Sequence, residues 1–169
     1  MDNIIDINKV KKQNKNKKVI LKKHSIKGMG LFALQSIKKG ELIAYYKVTI
    51  HEYQKYKSPT NNVYTFNIYR KNETDIKKYI GDIDNNSFPN INITDISFLA
   101  PFANEPSIGE KSNAEVDLDL DENYKNRKFV KTGEFMIYKL VAIKDIKKGE
   151  EILWYYGDQY VRNYKVSKL

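Results

Sequence analysis

Apolar residues in this chain gather in short runs separated by polar, turn-forming clusters. Seven runs, at residues 19–21, 31–35, 42–48, 63–69, 79–83, 115–120 and 135–143, predict strands, since each is short and rich in β-branched or aromatic side chains. Asn, Ser, Pro and Gly cluster at 58–62 and 85–90 and predict loops there. Two helices are expected. One spans 94–100, where Thr94 or Asp95 can cap the first turn and Pro101 ends it; the other spans 157–164. The order is not a βαβ alternation, so the expectation is a mainly β fold of several small sheets with short helices.

One phrase occurs twice, as Ile37-Lys38-Lys39-Gly40-Glu41 and as Ile146-Lys147-Lys148-Gly149-Glu150. In each copy the glycine can take the positive φ of a tight turn while the lysines keep the turn tip in water. The following segments, 41–46 and 151–156, end in Tyr45-Tyr46 and Tyr155-Tyr156 and both read as buried strands.

With 169 residues the chain is long enough for one domain with its own core. It has no cysteine, which excludes a thiol nucleophile and thiolate zinc sites and fits a reducing compartment. His24 and His51 lack a third partner at ligand spacing, so no metal site is expected. The net charge of +9 is concentrated at the start, where residues 1–23 carry eight lysines against Asp2 and Asp6. Residues 1–17 are expected to form a mobile basic arm, 18–165 the domain and 166–169 a tail. The arm suits nucleic acid or an anionic partner, and equally a solvated tail. No run approaches a membrane span or a signal-peptide core, which predicts a soluble intracellular protein.

Gly28-Met29-Gly30-Leu31-Phe32-Ala33 fits the G-x-G-x-x-A pattern of dinucleotide-binding folds. However, the turn at Lys38-Lys39-Gly40 arrives far too soon for the crossover helix that pattern needs. The glycines instead suit close backbone approach to a ligand, or an ordinary turn between strands. Together with Ile37 to Ile43, this segment resembles the opening motif of SET-domain protein-lysine methyltransferases, G-x-G-L-F-A followed by I-x-x-G-E-x-I. Phe102-Ala103-Asn104 and Ser112-Asn113-Ala114 are similar to the two ends of that family's central motif, with an insertion between them. Ile146 to Gly157 resembles the closing motif, I-x-x-G-E-E-L-T-Y-D-Y-G.

The resemblance implies a β-clip, SET-like fold in which a C-terminal segment threads under a loop. It implies S-adenosylmethionine as cofactor and a protein lysine as substrate, entering from opposite faces of a channel. Carried over residue by residue, Lys27, Gly28, Met29 and Gly30 would contact the cofactor through backbone groups. Phe32 would shape its pocket, Asn104 would bind its polar end, and Tyr156 would place a hydroxyl beside the transferring methyl. In-line transfer demands alignment and exclusion of water rather than a dedicated base, because a nearby sulfonium lowers the pKa of the attacking lysine. Tyr45, Tyr46, Trp154 and Tyr155 are candidates to line the channel through cation–π attraction, and equally to fill the core.

The chain also departs from the family pattern. Glu105 stands where the family has histidine, Pro106 where it has serine and Pro101 where it has arginine, and residues 107–111 are inserted. Glu105 is expected to accept a hydrogen bond from an amine or a ribose hydroxyl of the cofactor. The cysteine-rich zinc appendage of many relatives is absent, so Tyr160 or Tyr164 is expected to cover the site. An acid/apolar alternation from Glu115 to Asp121 forms an acidic stripe that could attract a basic peptide such as a histone tail, or protect a sheet edge. Three functions follow: methyl transfer to a protein lysine, a histone above all, near chromatin; an inactive peptide-binding module of the same fold; or a basic nucleic-acid-binding protein.

Overall fold

The computed structural model describes residues 18–59, 63–68, 79–83, 98–118, 132–158 and 160–168. The basic arm at 1–17, the loop at 85–90, the start of the helix expected at 94–100 and the end of the acidic stripe lie outside them. The architecture is mainly β, as the runs of apolar residues predict. The strands are β1 (Val19–His24), β2 (Gly28–Ala33), β3 (Leu42–Glu52), β4 (Thr65–Ile68), β5 (Tyr79–Asp82), β6 (Ala114–Leu118) and β7 (Phe135–Ala142). β1 and β2 form an antiparallel hairpin; the other five are hydrogen-bonded in the order β4-β5-β3-β7-β6.

The described residues fall into two compact units. In the first, β5 lies between β4 and the end of β3, pairing with both antiparallel, and Val48, Ile50, Ile80 and Ile83 are buried. Asp82 is fully buried there and accepts hydrogen bonds from Tyr56 Oη (2.9 Å) and Ser58 Oγ (2.5 Å). Burial pushes its carboxyl above the usual range despite these donors. His51 stacks flat on Tyr56, with ring centroids 3.6 Å apart.

The second unit holds the repeated phrase, and its two copies face each other. Ile37 and Ile146, both buried, exchange backbone hydrogen bonds of 2.9 and 2.8 Å. Gly40 N–H donates to Ala142 O (2.7 Å) and Gly149 N–H to Ala33 O (2.8 Å), while Ala33 N–H donates to Glu150 O and Ala142 N–H to Glu41 O. Each bond is thus matched by its counterpart with the copies exchanged, the signature of a local two-fold. Both turn glycines have positive φ, 85° and 89°, where a side chain would be strained. Glu41 and Glu150 each accept the N–H of the first lysine of their own copy, Lys38 (3.0 Å) and Lys147 (2.8 Å).

The copies then diverge. Residues 41–46 lead into β3, whereas 151–156 form no strand and make only single bridges, Glu151 to Phe32 and Leu153 to Asn104. The apolar content is that of a strand, but this segment changes partner from one residue to the next. Ile152 N–H donates to Leu31 O, Leu153 O accepts from Asn113 and Ala114, and Trp154 N–H donates to Asn104 O. It runs between two neighbouring segments instead of extending one ladder.

The helical expectations are corrected where their residues are described. Ala100–Phe102 is a single 3₁₀ turn in which Pro101 sits in the first positions rather than ending a helix. A first-turn proline is stable because its missing N–H would have had no intrahelical partner. No described residue in 157–164 is helical. Gly157 takes a φ of 95°, and the segment is held by side-chain bonds instead. Among the described residues no helix is long and apolar enough to cross a membrane.

Candidate functional site

Asn104 is where the three motif segments meet. Its Nδ2 donates to Met29 O (3.1 Å) in the first segment and to Glu151 Oε1 (2.9 Å) in the third. Its backbone carbonyl accepts Trp154 N–H at 3.0 Å. One side chain therefore uses both amide hydrogens to join stretches distant in sequence. Asn113, buried at the far end of the central motif, holds the closing segment a second time. Its Nδ2 donates to Glu151 O (2.7 Å) and its Oδ1 accepts Leu153 N–H (2.8 Å), imitating one rung of a β-ladder.

Gly30 faces this junction without a side chain. A Cβ there would lie 2.7 Å from Glu151 Oε1, 3.0 Å from Phe32 Cε2 and 3.1 Å from Asn104 Nδ2. Its backbone is extended, so proximity rather than φ requires glycine. Because Glu151 is pinned by Asn104, Gly30→Ala is expected to destabilise the fold by about 1–3 kcal/mol through overpacking. Denaturant unfolding checks this, and a loss under about 0.5 kcal/mol would show that Glu151 simply moves aside.

The β1–β2 turn is closed by His24, whose Nδ1 accepts the N–H groups of Ile26 (3.1 Å) and Lys27 (3.0 Å). With that nitrogen acting as an acceptor, the ring's proton lies on Nε2, which is 3.7 Å from Glu151 Oε2. Lys27, expected to act through its backbone, also extends its side chain under the central loop, donating to Glu105 O (3.0 Å) and Glu110 Oε2 (2.6 Å), with Glu151 Oε2 at 3.8 Å. Burial alone would raise the Glu110 carboxyl; the bonds from Lys27 and Ser107 N–H outweigh it and hold that carboxyl below its usual range. Gly28 is exposed with a φ of 80°, Met29 is half-buried, and Phe32 is half-buried beneath the Lys22 ammonium, 5.6 Å from its centroid.

Tyr156 donates its hydroxyl to Ala103 O at 2.7 Å, next to Asn104. Its ring meets Trp154 (centroids 4.7 Å) and the edge of Tyr160 (4.9 Å), forming an aromatic cluster. Gly30, Asn104, Trp154 and Tyr156 therefore do converge. Tyr45 lies against Phe98, Tyr46 is buried, and Tyr155 turns to Asp158, donating to its Oδ1.

Glu105 is 5% exposed and both its oxygens are occupied by the chain itself. Oε1 accepts Tyr156 N–H (2.8 Å) and Arg162 Nη2 (2.8 Å), and Oε2 accepts Arg162 Nε (2.9 Å) and Tyr164 Oη (3.1 Å). A carboxylate has about four acceptor sites, so these bonds fill it. Burial and the adjacent Glu105 charge push the hydroxyls of Tyr160 and Tyr164 upward, keeping both neutral at physiological pH. Glu151, Asn113 and Arg162 are not among the site residues that the motifs lead one to expect. Glu151 and Asn113 stand inside matched motifs, whereas Arg162 lies beyond the last motif.

A family model described as SET domain matches residues 28–157. No curated protein matches the chain. Solved structures of similar fold include a Plasmodium falciparum protein provisionally named a histone methyltransferase, with TM-score 0.52 and 21% identity over 86% of this chain and 97% of that one. A humanized mutant of the Chaetomium thermophilum Polycomb Repressive Complex 2, bound to an inhibitor, has TM-score 0.55 and 22% identity over 87% of this chain. The Chaetomium thermophilum complex in an autoinhibited conformation bound to S-adenosylmethionine has TM-score 0.51 and 23% identity over 87%. The chain spans only 16% of each of those two longer chains. At such identities the likeness to these structures is one of fold.

Proposed function

Because the chain belongs to the SET-domain family, we propose that it transfers methyl groups from S-adenosylmethionine to the ε-amine of a lysine in a basic protein, with a histone tail as the substrate class. The observation that carries this reading is the junction at Ala103-Asn104, which receives Tyr156 Oη and holds Met29 and Glu151 together. When bound, the cofactor would supply a sulfonium methyl for in-line displacement by a neutral amine.

The residues present suit such a group. Glu151, with a side chain 10% exposed and already paired with Lys27 Nζ at 3.8 Å, is a carboxylate beside the Met29-Gly30 backbone, where a cationic ligand would add a second counter-charge. Lys27, Gly28, Met29 and Gly30 would hold the ligand through backbone groups, with Phe32 and Asn104 shaping the pocket. Tyr156 spends its proton on Ala103 O, so toward a ligand its oxygen can act only as an acceptor, able to orient an amine or a polarised methyl. The rings of Trp154, Tyr156 and Tyr160 would favour an ammonium arriving from the other side, each worth about 0.5–2 kcal/mol depending on desolvation. Glu105 is assigned a positioning role, since its oxygens are filled by Tyr156, Arg162 and Tyr164. A histone substrate would place the protein with chromatin.

Calorimetry with S-adenosylmethionine and transfer of labelled methyl to core histones test this. Saturable binding with transfer is expected. Binding of a histone peptide with neither cofactor binding nor transfer would overturn it in favour of an inactive module.

A further inference from the structure

The segment after the last motif has no regular secondary structure among its described residues, yet it is not loose against the site. Arg162 presents a two-pronged contact to Glu105, Nε to Oε2 and Nη2 to Oε1, with side chains 14% and 2% exposed. The same Nη2 donates to Gly157 O (2.8 Å), which folds the segment back on its own start. The guanidinium carbon lies 5.3 Å from the ring centroids of both Tyr155 and Tyr160. Ser167 N–H adds a bond to Pro106 O (3.0 Å), beside Glu105. Glu105 meanwhile receives Tyr156 N–H, so one buried carboxylate joins the tail's only described arginine to the backbone of the proposed catalytic tyrosine.

We infer that Glu105 and Arg162 form a latch that holds residues 157–158 and 160–164 against the aromatic cluster and thereby sets the position of Tyr156, which makes Arg162 a positioning residue. The inference rests on the methyl-transfer reading for its catalytic consequence, but not for the latch. The chemistry explains why Glu105 suits its place. A bidentate arginine contact needs a planar carboxylate, and the short side chain of glutamate reaches both the guanidinium and the Tyr156 amide. Lysine at 162 would keep the charge but lose the fork and the stacking on two rings.

The test needs no ligand at first. Trp154 is the only tryptophan in the chain and stands at the cluster, so acrylamide quenching of its fluorescence reports how well the tail packs. Chymotrypsin cleavage at Tyr160 and Tyr164 reports release of the tail. Arg162→Ala is expected to cleave at least about tenfold faster than the unmodified chain, with Trp154 more accessible to acrylamide, because local opening sets the cleavage rate. Arg162→Lys should fall between the two. Val161→Ala, at a position 93% exposed beside the latch, should behave as the unmodified chain. Unchanged cleavage and quenching in Arg162→Ala, or equal effects from Val161→Ala, would overturn the latch. Should Arg162→Ala not fold, Arg162→Lys decides: unmodified protection there overturns it.

In the methyl-transfer assay Arg162→Ala should lower kcat by about tenfold or more while the Kd for S-adenosylmethionine moves less than about threefold. A rise in that Kd with kcat unchanged would overturn the positioning role and make the tail a cofactor cover. If the unmodified chain transfers no methyl at all, the proposed function falls, and the ligand-free measurements still decide the latch.

Discussion

Tyr156→Phe is expected to reduce methyl transfer to core histones by about 100-fold, the loss that misplacement by about 1 Å brings to a reaction governed by alignment. The hydroxyl removed donates to Ala103 O at 2.7 Å, and that carbonyl belongs to a residue 1% exposed. Two things are lost together: the acceptor that would orient the amine, and the tether fixing the ring beside the central motif. Stability should fall less than activity. A buried acceptor left without its donor costs about 1–3 kcal/mol, and the introduced phenyl ring would keep the contacts with Trp154 and Tyr160. Steady-state kinetics and denaturant unfolding on the same preparation separate the two effects. Full activity in Tyr156→Phe would remove Tyr156 from the proposed chemistry; a collapse of the fold would make its role structural.

That the segments around Gly30, Asn104 and Tyr156 meet is implied by the resemblance to the SET family, and once they meet each residue type has a direct physical reason to be there. Gly30 must lack a side chain, Asn104 must offer two donors, and Ile37 and Ile146 must be apolar to pair across the local two-fold. The repeated phrase is visible as repetition, but nothing in it tells that the copies hydrogen-bond to one another, since that is a long-range pairing with no local signal. The segment 151–156 reads as a strand and is not one for the same reason: its composition is right, and only the alternation of its partners is not. Pro101 reads as a terminator, although proline is equally at home in the first positions of a turn. Least legible is Arg162. It sits 57 residues from Glu105, outside any motif, in a stretch with no apolar periodicity. The clue lies in Glu105 itself, an acidic residue where the family pattern has histidine, whose charge requires a partner once buried.

That requirement gives the largest expected stability effect. Glu105→Ala removes the acceptor of four hydrogen bonds at once and leaves the Arg162 guanidinium facing an apolar gap. Breaking a buried pair from one side costs about 3–5 kcal/mol, and the lower end applies because Arg162 keeps Gly157 O and can reach water when its segment lifts away. About 3 kcal/mol is a large share of a typical domain's stability, so the midpoint of denaturant unfolding should drop clearly. Glu105→Gln, which keeps an acceptor oxygen and the side chain's volume, should lose roughly half as much. The double variant Glu105→Ala with Arg162→Ala distinguishes a shared device from two separate contacts. If both residues act through one docking event, either substitution already releases the segment, and the pair should cost little more than one alone. Losses that add would mean that Glu105 supports Tyr156 and Arg162 independently, with no latch between them.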